Sequence, residues 1–516
     1  MANPFTILAS YHFNHINSNS FTDSGISFSS TQKQTQLSVT PESDWGDIDS
    51  FCNKYRFYQD NPLEEILSMP SHTELMSGID SSKISEKFNG ETSSDIIKCS
   101  QKLSTYQILK MAGERFVSFS SQKIVHVKTL YTGLSLAGLS FEDKQDVKLA
   151  QLLLRAAEKV GQKEFDRAKK LLSRCQCVAS NEGTSVQRVV FYFSEALLER
   201  INKETLNSEE FKGSVINEAC VKRNVQAFAA MHQKLPFFQV IHFTAVQTIL
   251  DNIETKSKVL HLIDFQILTG THWAAFMQAI TEHEIGHLKI TAVETVDNRG
   301  AEKTGKFLQS FASYLNLSFS YKVVSLSDIK DLKEEHLETQ PDENTAIFFH
   351  FMLRSLITKP ICMKNLMRIT QKIKPSIMVV GEVEANHNSP SFANRFVEAL
   401  FYYGGLFDSL EESMQRDDRD RMVIESGTFL EGIHNIVVRE GNERVSRSVS
   451  ISVWRAFFGK FGMMELELST TAMLQAGLIV NKFDCGEYCT LDVSSKCLIM
   501  GWKGTPLFSV SAWKFH

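Results

Sequence analysis

One stretch of eight residues constrains the fold more than any other part of the sequence. Residues 258–265 read KVLHLIDF, which is an almost continuous apolar run with a histidine and an aspartate inside it. Runs of this kind are typical of strands that are buried on both faces of a parallel sheet. A turn at Gly270 and an apolar helix over 273–280 follow directly. This order of strand, turn and helix predicts the beginning of an α/β domain.

The same alternation continues towards the C-terminus. Further strands are predicted at 288–293, 319–324, 346–352 and 377–382, with helices over 303–315 and 361–373 between them. This pattern predicts a doubly wound, mostly parallel, Rossmann-like sheet with right-handed crossovers. Three short strands separated by turn residues, at 487–493, 496–502 and 506–513, predict an antiparallel C-terminal end to the same sheet.

The region before the first strand has a different character. Apolar residues recur at steps of three and four over 147–172, with a break near Gly161, and again over 189–201, 211–231 and 238–253. We therefore expect a helical cap over about 104–257 and an α/β core over about 258–516. Residues 1–103 are predicted to be a largely disordered, variable N-terminal region, because residues 1–50 are rich in serine and lack a sustained apolar period. Within this region, 47–67 is either a transient helix or an acidic-aromatic segment that folds on a partner.

Charge and cysteine usage exclude several functional classes. The 55 basic and 60 acidic residues give a net charge of −5, which argues against a polybasic nucleic-acid binder. No apolar run is long enough to cross a membrane, and the N-terminus lacks the basic flank of a secretory signal. The nine scattered cysteines are expected to be reduced thiols, and we predict no metal site among them.

The ligand-binding rule for doubly wound sheets draws attention to the carboxyl end of the first strand. Asp264 and Gly270 lie there, but this turn contains a single glycine and no phosphate-binding motif. We therefore predict no cofactor, and Asp264, Gly270 and Glu382 remain only weak candidates for ligand binding. Asp264 is expected to be satisfied by backbone amides or by a basic neighbour, and His261 is expected to be a hydrogen-bonded core residue.

A second polar group follows the strand at 377–382. Glu382 and Glu384 precede His387, and a Glu/His pair is a combination used in acid–base chemistry. No nucleophile is identifiable near it, so we predict no catalytic residues and expect a hydrogen-bonded loop that caps the helix after Pro390. Farther on, the arginines of 416–421 alternate with aspartates and are expected to form a solvated helix face, whereas those of 439–447 could contact phosphate or pair with glutamates.

Several of these segments together resemble the plant GRAS family, the SCARECROW-like and DELLA-type transcriptional regulators. Residues 259–265 and the following Gly270 and Trp273 are similar to its VHIID signature, and 235–250 to the end of its first leucine-rich region. Residues 375–440 follow its PFYRE region, 444–447 its RVER element, and 454–513 its SAW region. The motif positions that match are Val259, His261, Ile263, Asp264, Pro375, Arg439, Glu440, Arg444, Arg447, Trp454, Gly462, Trp502, Ser511, Ala512 and Trp513.

The resemblance implies a methyltransferase-like α/β core with an N-terminal helical cap. It also implies a nuclear protein that forms homo- or heterodimers with other GRAS-type proteins and works with DNA-binding transcription factors. Direct contact with DNA is known for only some members, and membrane association is not expected. Gln266 replaces the usual second aspartate, and Ser446 replaces the glutamate of RVER. Neither a DELLA nor a VHYNP segment is present, so degradation through the gibberellin receptor is not implied.

We therefore expect a nuclear transcriptional regulator that acts through protein–protein interaction in developmental, hormone or symbiosis signalling, and not an enzyme. Two alternatives use the crevice near Asp264. One is an S-adenosylmethionine-dependent methyltransferase, which the glycine-poor turn argues against. The other is a small-molecule sensor, which a crevice filled with side chains would exclude.

Overall fold

A computed structural model describes residues 102–120, 136, 138–205, 227–253, 258–295 and 299–516 of the chain. The predictions made for the N-terminal region up to residue 101 and for a helix over 211–226 lie outside the described residues. No helix in the described part of the chain is long and apolar enough to cross a membrane.

Helices make up the part of the chain before the sheet. They are α1 (Thr105–Ser120), α2 (Phe141–Gly161), α3 (Phe165–Gln176), α4 (Ser185–Thr205) and α5 (Pro236–Asn252), and residues 227–234 are also helical. Ser140 begins α2 by accepting a 3.0 Å hydrogen bond from the backbone amide of Asp143, as N-cap serines do. The predicted break near Gly161 is confirmed, because α2 ends there and Lys163 adopts a positive φ of 61° before α3.

Nine strands occur in the described residues. They are β1 (Val259–Phe265), β2 (His287–Glu294), β3 (Phe319–Ser325), β4 (Asn344–His350), β5 (Ile377–Val383), β6 (Met463–Leu466), β7 (Cys489–Ser494), β8 (Cys497–Trp502) and β9 (Thr505–Phe515). Their order in the sheet is β3-β2-β1-β4-β5-β9-β8-β7, and β6 pairs with β9. The pairs β1–β2 and β2–β3 are parallel, whereas β9 is antiparallel to β5, β6 and β8. The predicted fold class, a mostly parallel α/β sheet with antiparallel C-terminal strands, is confirmed.

Further helices connect the strands. They are α6 (Thr271–Ile280), α7 (Arg299–Tyr314), α8 (Glu334–Leu337), α9 (Leu353–Leu356), α10 (Pro360–Ile373), α11 (Phe392–Ser413), α12 (Arg419–Val423), α13 (Leu430–Val437), α14 (Ile451–Lys460) and α15 (Thr470–Val480). A π-helix over Ile424–Phe429 separates α12 from α13. The strand β6 was not predicted. It has only four residues and directly follows a helix, so its identity depends on pairing with β9 across about fifty residues of sequence.

The chain forms two compact units. The first contains Ile249–Ile347 and Pro360–Ile377 where they are described, and its core includes Leu260, Ile263 and Phe265 of β1. The second contains the described parts of Arg56–Thr248 together with Phe348–Lys359 and Met378–His516. Its core includes Trp502 and Trp513, each only 1% exposed. The division into a cap at about 104–257 and a core at about 258–516 stays a prediction.

Candidate functional site

The carboxyl end of β1 places Asp264 inside the first unit, with no exposed surface. The indole nitrogen of Trp273 donates a 2.5 Å hydrogen bond to Oδ2, and His272 Nε2 lies 3.5 Å from the same oxygen. Because α6 begins at Thr271, its first turn brings the indole directly to the end of β1. Of the two expected kinds of partner, a basic neighbour is present in His272, whereas the donor is an aromatic side chain and not a backbone amide.

The turn after β1 is filled with bulky residues. Gln266 and Leu268 have φ angles of 91° and 51°, in the left-handed region that residues with side chains rarely adopt. Gly270, at φ 62°, has no room for a side chain, because a Cβ there would lie 2.5 Å from Cγ2 of Thr304. The Thr304 hydroxyl in turn donates a 2.6 Å hydrogen bond to the carbonyl of Leu268. The turn therefore packs against α7 and does not form the open glycine-rich loop that a nucleotide requires.

A second carboxyl group, that of Glu294, ends β2 at the same edge. Burial and the neighbouring Asp264 raise the pKa of Glu294 to about 7, against a smaller opposing effect from the backbone amide of Ile267. Burial and these two carboxyls also raise the pKa of Tyr321, whose hydroxyl donates a 2.7 Å hydrogen bond to the carbonyl of Ala301. The crevice therefore holds two carboxyls among aromatic side chains, with no group of metal ligands anywhere in the described residues.

His261 lies deeper in β1 and contacts neither of these carboxyls in the described structure. Its Nε2 is 2.7 Å from the hydroxyl of Thr291 on β2, and its Nδ1 is 3.0 Å from Glu343. Burial lowers the pKa of His261 to about 4, so the ring is neutral near pH 7. The structure thus places His261 as a hydrogen-bonded core residue that links neighbouring strands.

The polar residues after β5 occupy the second unit and cap two different elements. Glu382 is 1% exposed and accepts a 3.1 Å hydrogen bond from the amide of Arg354 at the start of α9. Glu384 accepts bonds of 3.1 and 3.0 Å from the amide of Ile451 at the start of α14. Burial raises the pKa of each glutamate to about 7. The expectation of a loop that caps the helix after Pro390 is met by Ser391 at the end of this loop, whereas Glu382 and Glu384 cap α9 and α14 instead.

Comparison with known proteins agrees with this architecture. The GRAS domain family matches residues 149–514 of the chain. The chain belongs to the GRAS domain family. Its solved relative SCL7 from Oryza sativa is 27% identical, with a TM-score of 0.63, and the match covers 71% of this chain and 99% of that one.

Plant DELLA proteins are among the curated relatives of this GRAS chain. The DELLA protein RGA of Arabidopsis thaliana is 31% identical over 391 residues, which cover 74% of this chain and 65% of RGA. The DELLA protein GAI of the same plant is 31% identical over 395 residues, covering 75% of this chain and 72% of GAI. DELLA protein 2 of Medicago truncatula is 30% identical over 379 residues, covering 72% and 68%. The chain therefore matches about two thirds of the length of these relatives.

Most GRAS motif positions serve the packing of the chain. Val259 and Ile263 lie in β1, and Pro375 is buried just before β5. Gly462 follows α14 and adopts a positive φ of 75°. Arg439 pairs with Glu431 at 2.7 Å, and Glu440 accepts from Arg200 and Arg395 at 2.7 and 2.5 Å. Arg444 donates to the carbonyls of Asn435 and His387, and Arg447 to that of Gly441. The matching positions of the SAW region that are buried are Trp454, Trp502, Ser511, Ala512 and Trp513.

Sequence reasoning missed a buried ionic network in the second unit. Arg188 and Arg421 are both fully buried, and both bind Glu425, at 2.9 and 2.5 Å respectively. The expected solvated face over 416–421 was therefore wrong for Arg421. Glu425 lies 237 residues from Arg188 in sequence, and the second acidic partner of Arg188, Glu411, lies 223 away, so no local pattern of charges could reveal the network. A helical arginine with an acidic residue four positions later was the one available signal.

Proposed function

We propose that this GRAS protein is a nuclear transcriptional regulator that acts through protein–protein contacts. In this proposal it dimerises and works with DNA-binding transcription factors, without enzymatic activity of its own. Membership of the GRAS family and similarity to DELLA proteins support this proposal. The observation that carries it further is an exposed apolar surface on α15 in the second unit.

The helix α15 contains no charged residue over its eleven positions, TTAMLQAGLIV. Such a helix is normally buried on all sides. Here Leu474 is 61% exposed and Leu478 is 47% exposed, one turn apart on the same face. A Cβ added at Gly477, between them, would meet no atom within 4 Å. An uncharged helix with one open apolar face is the kind of surface that partner helices cover in protein complexes.

The test compares two variants of the full-length protein. Leu474→Asp places a charge on the α15 surface, whereas Val178→Asp places one at another exposed position that follows α3 and is 47% exposed in the parent. We expect light scattering to show a dimer for the parent and for Val178→Asp, and a monomer for Leu474→Asp. A fluorescent fusion should be nuclear in plant cells, and a reporter driven through a DNA-binding partner should respond to the parent but not to Leu474→Asp. A parent that is monomeric and inert in the reporter assay would contradict the proposal.

The methyltransferase alternative is not favoured by the crevice. A bound cofactor would need the backbone of the turn after β1 to approach it closely, but the turn carries the bulky side chains of Gln266 and Leu268. In addition, the indole of Trp273 already binds Asp264. We therefore propose that S-adenosylmethionine does not bind. Calorimetric titration of the full-length protein with S-adenosylmethionine should give no saturable heat. Binding with a defined stoichiometry would instead support the methyltransferase alternative.

A further inference from the structure

A group of polar and aromatic side chains lies where β4 and β5 end in the second unit. We refer to Phe351, Arg354, Glu382, His387 and Tyr402 as the Arg354 cluster. Arg354 follows β4 by four residues, and its backbone amide binds the carboxylate of Glu382 at 3.1 Å. The rings of His387 and Tyr402 are 5.2 Å apart, and the guanidinium of Arg354 lies 5.3 Å above the ring of Phe351.

In the described part of the chain the guanidinium of Arg354 makes no hydrogen bond and no ion pair, and it contacts the ring of Phe351. The charge of Arg354 acts on Glu382, but the oxygens of that carboxylate accept from backbone amides, at 3.1 Å from Arg354 and 3.3 Å from Val383. Arg354 is half-buried, and charged groups in such places are normally paired. The five N–H groups of this planar guanidinium are therefore available to donate hydrogen bonds to an oxyanion.

The other members of the cluster supply complementary groups. His387 is 3% exposed, and its Nε2 has no hydrogen-bond partner among the described residues. Burial and the nearby charges of Arg444 and Arg354 lower the pKa of His387 to about 3, so that the ring is neutral. A ring nitrogen binds the backbone of Glu398, which leaves Nε2 as the acceptor of the neutral ring. The Tyr402 hydroxyl likewise makes no hydrogen bond to a described residue.

The backbone at this position is strained. Phe351 adopts a φ of 54°, in a region that a bulky residue enters only when its surroundings hold it there. The amide of Phe351 donates a 2.9 Å hydrogen bond to the carbonyl of Gly381, which fixes this conformation. Strained residues of this kind are found preferentially at ligand-binding positions. The strain at Phe351 is independent of the charges, and it turns the chain immediately before Arg354.

We infer that the Arg354 cluster binds a small oxyanion that also carries a hydroxyl group, either a phosphate or a hydroxy-carboxylate with an aromatic body. The guanidinium and the Tyr402 hydroxyl would donate to the anionic oxygens, Nε2 of His387 would accept from the ligand hydroxyl, and Phe351 would pack against its apolar part. This inference goes beyond the proposed regulatory function. It is also independent of the crevice at Asp264, which belongs to the other unit.

The experiment is calorimetric titration of the full-length protein with two probes, sodium phosphate and sodium mandelate, in a buffer free of other oxyanions. We expect one site per chain for at least one probe. Arg354→Gln should weaken binding at least tenfold, which corresponds to about 1.4 kcal/mol. Tyr402→Phe removes only a hydroxyl and should weaken binding severalfold. Arg167→Gln removes the same charge from a position that is 73% exposed, and it should leave affinity unchanged.

The two probes distinguish the source of the oxyanion. Saturation by phosphate alone indicates a phosphorylated ligand, and saturation by mandelate alone indicates a hydroxy-carboxylate. Equal affinity in the parent, Arg354→Gln and Tyr402→Phe would overturn the inference, as would the absence of saturable heat with both probes. If Arg354→Gln does not fold, as judged by circular dichroism, Tyr402→Phe and Arg354→Lys decide the outcome. Neither result bears on dimerisation, so the inference and the proposed function can fail separately.

Discussion

Asp408 accepts a 2.7 Å hydrogen bond from the indole nitrogen of Trp502, a residue 94 positions further along the chain. Its other carboxylate oxygen accepts from both the amide and the hydroxyl of Thr105, at 2.9 and 2.6 Å. Lys503 lies 2.7 Å away and completes the environment. One buried carboxylate on α11 thus links α1 to the C-terminal strands within the second unit.

Replacing Asp408 should destabilise the protein in a pH-dependent way. Burial alone would raise the pKa of Asp408, but Lys503 and the hydrogen-bond donors lower it overall. A depressed pKa in the folded state contributes stability above the unfolded value near 4 and loses it as pH falls through the folded value. We expect Asp408→Asn to lower the free energy of unfolding by about 2–4 kcal/mol at pH 7 and by clearly less at pH 3. Urea unfolding checks this, with exposed Asp492→Asn as a control that should change stability little.

Glu294 should show the opposite dependence on pH. Its folded pKa of about 7 lies above its ordinary value of 4.5, so the folded state binds the proton more tightly and stability falls as pH rises between these values. Glu294→Gln cannot ionise, and we expect it to be about 1–2 kcal/mol more stable than the parent at pH 8 and equal to it at pH 4. Thermal unfolding across this range measures the difference. A variant that is less stable at pH 8 would show that the carboxylate is needed there.

Breaking the buried ionic network should be costly. Arg188→Leu leaves Glu425 with Arg421 alone in an environment without solvent, and we expect a loss of about 3–5 kcal/mol. Arg167→Gln removes an arginine of the same unit that is 73% exposed and pairs with Glu164 outside the network, and it should cost less than about 1 kcal/mol. Denaturant unfolding of both variants separates the two environments. Equal effects would mean that solvent reaches Glu425.

Two glycines with similar positive φ angles allow the cost of backbone strain to be measured separately from the cost of a steric clash. Gly270 and Gly504 have φ angles of 62° and 87°, but a Cβ at Gly504 would meet no atom within 4 Å. Gly504→Ala should therefore lower the free energy of unfolding only by the cost of placing a Cβ in the left-handed region, about 1–2 kcal/mol. Gly270→Ala adds a clash with Thr304 and should cost at least about 1 kcal/mol more. Differential scanning calorimetry gives both values, and equal costs would show that Thr304 moves aside freely.

Sequence patterns predicted the strands well wherever burial was continuous. All eight predicted strands overlap observed ones. Continuous burial explains strands such as 259–265 and 344–350, whereas β3 and β7 are only partly buried. The predicted helices over 273–280 and 361–373 agree with α6 and α10 within two residues, whereas α2 begins six residues before its predicted start at 147. The candidate site was predicted less well. The position of Asp264 at the end of β1 followed from topology, but its indole partner did not, because the direction of a side chain depends on how α6 packs.

The sequence by itself determined the alternation of helices and strands, and through its ordered motifs it determined the family. These features depend on the local periodicity of apolar residues, which can be recognised from consecutive positions in the sequence. Only the tertiary structure decided the partners of buried charges, such as Glu425 with Arg188 or Asp408 with Trp502, and the isolation of Arg354. Those relationships join residues tens to hundreds of positions apart, and the electrostatic cost of burial becomes defined only when the chain has folded around them.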